Sequence, residues 1–168
     1  MVATGIRQSG MALLEALIGI LIFSIGILAL VAMQAASINA AADAQYRVEA
    51  VNAANQILGH MWMSVDRTSP ATAQASLLAF EHQTTGAPNE CNFTGAAGAS
   101  PAVTAWTNLL NTGKADGSGT KPLLPGSSAE MQQIDIDTGV SNRVTITVCW
   151  RAPGDAAPHR HTVVAYVN

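Results

Sequence analysis

The pattern of apolar and polar positions changes once along this chain, and the change divides it. Residues 11–33 read MALLEALIGILIFSIGILALVAM, apolar or small throughout apart from Glu15. About 20 such residues span the hydrocarbon core of a bilayer as a helix, so the pattern predicts a membrane-crossing segment. Neither proline nor glycine interrupts the sequence between Gly26 and Gly59, and alanine is frequent there. Such sequence favours helix, and the pattern predicts that one helix continues over 11–66, ahead of Pro70. Its first part, 11–33, has no polar face. Its second part, 34–66, reads as amphipathic, with Ala44, Val48, Val51, Asn55, Leu58, Trp62 and Val65 recurring at steps of four and three. That stripe is expected to pack on the C-terminal domain, with Asp43, Arg47, Glu49 and Asn52 on the opposite side.

Residues 67–168 read as a small domain. Ser69-Pro70 signals a short helix over 68–80, and Ser100-Pro101 a second one through Trp106 to Leu110, closed by Asn111 and Gly113. Residues 82–98 and 114–128 carry the Gly, Pro and Asn of loops. Three strands follow, over 131–137, 142–151 and 161–167. In the second, Val144, Ile146, Val148 and Trp150 share one face, and Thr145, Thr147 and Cys149 the other. Consecutive strands joined by short turns make an antiparallel meander. The predicted fold is α+β: a long N-terminal helix whose second half covers a small antiparallel sheet.

Composition narrows the partners. The net charge is −3 and only 11% of residues are charged, with no basic run. Nucleic acid is therefore not an expected partner, because phosphate binding needs clustered Lys and Arg. Cys91 and Cys149 are the two cysteines and both follow the apolar segment. An even count in an exported domain predicts one disulfide between them.

Glu15 is the residue that asks for a reason. A carboxylate inside a spanning helix costs about 2.5–3.5 kcal/mol on insertion scales, which marks it as functional. It stands five residues after Gly10. The run Gly10-Met11-Ala12-Leu13-Leu14-Glu15, followed by the apolar segment, resembles the class III signal of type IV pilins and pseudopilins. The resemblance implies that 1–10, with its single basic residue Arg7, is a leader that a prepilin peptidase cuts between Gly10 and Met11. It implies N-methylation of Met11, and makes Glu15 the fifth residue of the mature chain. The helix would lie first in inner-membrane lipid, with the C-terminal domain in the periplasm. It would then pack among other pilin subunits in a filament at the cell surface. Ala12 stands where the family often has Ser or Thr. The residues of 20–30, Met33-Gln34, Leu124-Pro125-Gly126 and the strand 144–151 resemble the minor pilins within that superfamily. Many major pilins have a helix-kinking proline at the position of Ala32, and none precedes Pro70 here.

Other constellations read as structural. His159, Arg160 and His161 suggest a chelating pair, but a metal site needs three or four convergent ligands, so solvated edge residues are expected. Asp135 and Asp137 lack the alternating ligands and closing Glu of a calcium loop. Asn92-Phe93-Thr94 matches a glycosylation sequon, a pattern frequent by chance. Gly117-Ser118-Gly119 is not placed between a strand and a helix, as a nucleotide fingerprint requires. No cofactor, metal or catalytic group is expected. The sequence reads as a minor pilin involved in pilus assembly. A minor pseudopilin of type II secretion shares the same N-terminal signal. A membrane-anchored periplasmic enzyme or binding protein would need a pocket with convergent titratable groups.

Overall fold

The structure is a computed structural model and describes residues 9–167. Of the expected leader, residues 1–8, Arg7 included, lie outside the described residues. The elements in chain order are α1 (Ser9–Ser64), α2 (Pro70–Leu78), α3 (Pro101–Thr112), a single 3₁₀ turn (Ala129–Met131), β1 (Gln132–Asp137), β2 (Arg143–Trp150) and β3 (His159–Tyr166). The sheet has the order β1-β2-β3 and both pairings are antiparallel. The α+β fold expected from the sequence is the one observed. The chain divides into two compact units, one ending at Ala42 and the other running from Asp43 to the C-terminus.

In the second unit the core lies between α1 and one face of the sheet. Ala50, Ala53, Ala54, Ile57 and Met61 of this helix, and Val65 just past its end, cluster with Ile134, Ile136, Val144, Ile146, Val148 and Trp150. α3 adds Val103, Trp106 and Leu110, while Leu77, Phe80, Leu124 and Val167 close the edges. Each fully buried Ile, Leu or Met contributes about 1.5–3 kcal/mol. The Trp106 indole N–H donates to the Ala53 carbonyl at 2.9 Å, inside the core.

The buried side of α1 corrects the sequence reading. Of the stripe expected to face the domain, only Val65 is buried; Ala44, Val48, Asn55 and Trp62 are exposed, and Val51 and Leu58 flank the contact. Asp43 and Glu49, placed on the solvent side by that reading, are half-buried. The physical reason is size. Alanine at 50, 53 and 54 lets the helix backbone approach its neighbours closely enough to accept a hydrogen bond from Trp106. The larger Val48 and Trp62 would hold it away.

Local signals set the shorter elements. Ser69 caps α2 through a capping box with Thr72, and Pro70 begins the helix. Gly113 ends α3 at φ 79°, the left-handed cap that glycine adopts freely, and a Cβ there would meet the Lys121 carbonyl. α1 ends at Ser64 rather than 66, and β3 begins at His159 rather than 161.

Both faces of β2 are largely buried, not only the one facing α1. On the second face Cys149 and Cys91 form the disulfide, with Phe93 and Met131 packed beside them. The bridged residues are 58 apart in sequence, so the bond stabilises the domain by about 4 kcal/mol on the chain-entropy account. The segment 82–98, which reads as loop, thereby supplies a small second core.

Burial assigns opposite outcomes to two substitutions on α1. Ile57→Ala should destabilise the Asp43–Asn168 unit by about 2–5 kcal/mol. Val48→Ala, on the exposed side, should change it by no more than about 0.5 kcal/mol. Guanidinium unfolding of the detergent-solubilised chain, followed by near-UV circular dichroism, checks both. The reverse ranking would restore the face read from the sequence.

Candidate functional site: the apolar segment and the histidines

The described part of the first unit is a single stretch of α1. Every residue from Gly10 to Ala41 is exposed in it. That stretch has a mean hydropathy of 2.8 over its most apolar window and is long enough to cross a membrane. An apolar helix with no burial of its own requires an apolar surrounding, lipid or other helices. Within the apolar run the Ser24 hydroxyl is satisfied locally, its Oγ donating to the Ile20 carbonyl at 2.7 Å. A Cβ at Gly19 or Gly26 would meet nothing within 4 Å, so neither glycine is needed for packing within the chain.

Glu15 sits in the second turn of this helix, one turn after Met11 and one before Gly19. It makes no ion pair among the described residues. The backbone at Gly10-Met11 is helical, and both residues are exposed.

The histidines of the second unit divide sharply. His82 is only 3% exposed. Its Nδ1 accepts the Gly98 N–H at 2.9 Å, so its Nε2 carries the proton donated to the Ala129 carbonyl at 3.1 Å. Burial disfavours the imidazolium and holds the pKa below the ordinary histidine value, outweighing the bond to Ala129. Gly98 permits this arrangement, since a Cβ there would lie 2.5 Å from the Val103 side chain. Next to it, burial followed by the charge of Asp135 raises the pKa of Glu81.

His159 is not a solvated edge residue. Its ring stacks on Trp150 with centroids 5.6 Å apart, and its Nε2 lies 2.9 Å from Asp155 and 4.0 Å from Asp43. The other oxygen of Asp43 binds Arg47 at 3.0 Å. Sequence reasoning missed this group because Asp43 is more than a hundred residues from its partner. Arg160 falls on the opposite face, so the three consecutive residues do not converge. Among the described residues no group of three or more His, Cys, Asp or Glu is arranged to hold a metal ion. Asp137 instead pairs with Arg143 at 3.0 Å and accepts the Gly139 N–H. Asn92 of the sequon is exposed, while Phe93 beside it is fully buried.

Surface depressions of this unit are lined by few titratable groups. One, bounded by Arg67, Ser69, Pro70 and Asn142, has a single charged residue; another, bounded by Pro125, Met131, Arg151 and Asp155, has two. Neither sets a nucleophile beside a base. A long N-terminal helix whose second half covers a small antiparallel sheet is the arrangement that the resemblance to pilins implies. Set against protein-family models, curated proteins and solved structures, the chain finds no match in any of the three.

His82 gives a pH prediction. Its folded pKa lies below 6.5, so the unfolded chain takes up its proton first as the pH falls. Its contribution is therefore intact above about pH 6.5 and is lost progressively below it. Glu81, with a raised pKa, acts in the opposite sense. Comparison with His82→Gln, whose amide reproduces both hydrogen bonds, isolates the histidine. The thermal midpoint of the unchanged protein should fall more steeply between pH 6.5 and 5 than that of the variant, and parallel curves would reject the assignment.

Proposed function

We propose that this chain is a minor pilin of a type IV pilus. It is made as a single-pass inner-membrane precursor, cut between Gly10 and Met11 by a prepilin peptidase and N-methylated at Met11. It then packs through its N-terminal helix against other minor and major pilin subunits, at or near the filament tip, where it primes assembly. It acts by packing and surface contacts rather than by catalysis. The observation that carries this reading is the single carboxylate Glu15, at fixed spacing from Gly10, at the start of a helix apolar enough to span a membrane. That helix continues into a small disulfide-closed α+β unit.

Within the superfamily the resemblance is to the type IV pilus modification protein PilV. It rests on the apolar residues of 20–30, Met33-Gln34, Leu124-Pro125-Gly126 and the run from Val144 to Cys149-Trp150-Arg151. The last two of these are neighbours in the fold. The Arg151 N–H donates to the Pro125 carbonyl at 2.9 Å, and Leu124 is fully buried.

Charge complementarity gives Glu15 its role. Cleavage leaves an ammonium at Met11 within apolar surroundings. A lone ammonium and a lone carboxylate are each costly there, and together they offset one another. A neighbouring subunit can present its amine to Glu15 only at one axial offset along the helix. Glu15 thus selects the register at which subunits dock, and is tolerated in lipid near the membrane surface beforehand.

Two measurements test this. Mass spectrometry of the mature protein should give a chain beginning at N-methyl-Met11. A chain beginning at Met1, or cut near Ala36, would sink the pilin reading. Glu15→Val should insert into the membrane normally yet be depleted from sheared pili on immunoblots, and normal incorporation would remove the role given to Glu15.

A further inference from the structure

The three-stranded sheet has two edges, and only one is closed. Along β1, the His82 N–H donates to the Ile134 carbonyl at 3.0 Å and the Ile134 N–H returns to the His82 carbonyl at 2.9 Å. No segment pairs with the outer edge of β3 among the described residues. The register fixes which of its groups are unpaired. Val167 N–H donates to the Asn142 carbonyl, and antiparallel pairing alternates from there. Residues 159, 161, 163 and 165 therefore spend their backbone groups on β2. Arg160, Thr162, Val164 and Tyr166 turn theirs outward. The same four side chains are exposed, Val164 by 55% and Tyr166 by 54%.

Edge strands normally carry protection against pairing, such as lysine, an internal proline or a bulge. β3 has no lysine, internal proline or bulge: its sequence is HRHTVVAY, its register with β2 is unbroken from Tyr166 to His159, and Arg160 is the one charged residue among those turned outward. Its outer residues include β-branched and aromatic types that favour strand pairing. Arg160 makes no ion pair among the described residues, and it lies on the face opposite the His159, Asp155 and Asp43 group. The edge is thus a strand template with one unneutralised cation at its N-terminal end.

We propose that the β3 edge takes an extended segment of a different protein chain as a fourth, antiparallel strand. The segment places an acidic side chain against Arg160 and β-branched or aromatic side chains against Val164 and Tyr166. Main-chain hydrogen bonds supply affinity, and the alternate side chains supply specificity. A second copy of β3 fits less well, because the strand carries no carboxylate to meet Arg160. The inference is independent of how the N-terminal helix functions.

The probe is a short fluorescein-labelled peptide of alternating valine and threonine with aspartate near its C-terminus, the end that lies beside Arg160 in antiparallel pairing. Fluorescence anisotropy with the full chain in detergent micelles should show saturable binding. Val164→Pro removes an outward N–H that takes no part in the β2 ladder, a change an edge strand accepts. It should weaken binding at least tenfold with the unfolding midpoint close to that of the unchanged protein. Arg160→Glu should weaken the aspartate peptide and strengthen one bearing lysine in its place, a swap that stays decisive should the proline variant misfold. Absence of saturable binding, or binding unaltered by both substitutions, would overturn the proposal. So would concentration-dependent dimers that Val164→Pro abolishes, which would assign the edge to a second copy.

Discussion

The alanine face of α1 sets the spacing on which the Asp43–Asn168 unit depends. Ala50, Ala53 and Ala54 carry little apolar area of their own, yet all are buried. Their small size brings the helix backbone within hydrogen-bonding reach of the Trp106 indole, so α3 is joined to α1 through a main-chain carbonyl as well as through packing. The contact also lets Ile57 and Met61 reach the β2 side chains behind them. Protein interiors pack at crystal-like density, so a larger residue at any of these alanines would shift several elements together.

That inner face would leave the sheet half-covered if the chain ended its work there. The disulfide region answers this for β1 and β2, where Cys91, Phe93 and Met131 lie over the second face, and His82 closes the β1 edge. His82 is held by two backbone groups, and its burial favours the neutral imidazole. The cover stops short of β3, whose alternate residues remain exposed. The asymmetry of the domain, one edge sealed and one open, thus follows from where the 82–98 segment ends.

The two units present different surfaces. Residues 10–41 expose apolar side chains on every side and bury none. The unit beginning at Asp43 has its own core, its own disulfide and a partly charged exterior. Under the proposed role the apolar stretch serves first in lipid and then among helices, and Glu15 is the group whose pairing distinguishes the two.

Much of this was legible in the sequence because it rests on local rules. The apolar run, the Pro70 and Pro101 helix starts, the Gly113 cap and the alternation of β2 each depend on neighbours along the chain. The buried face of α1 was not legible. In a helix rich in alanine, hydropathy varies too little around the axis to mark one side, and periodicity favoured the bulky residues that the fold leaves outside. The group formed by Asp43, Asp155 and His159 and the closing of the β1 edge by His82 were equally hidden, since each joins residues far apart in sequence. Local sequence was enough to mark the helix, strand and membrane-compatible segments, because backbone geometry and transfer free energy act between near neighbours. Which face of α1 is inside, which histidine is buried and which strand edge stays open emerge only in the fold, because they depend on the size and reach of side chains brought together from distant positions.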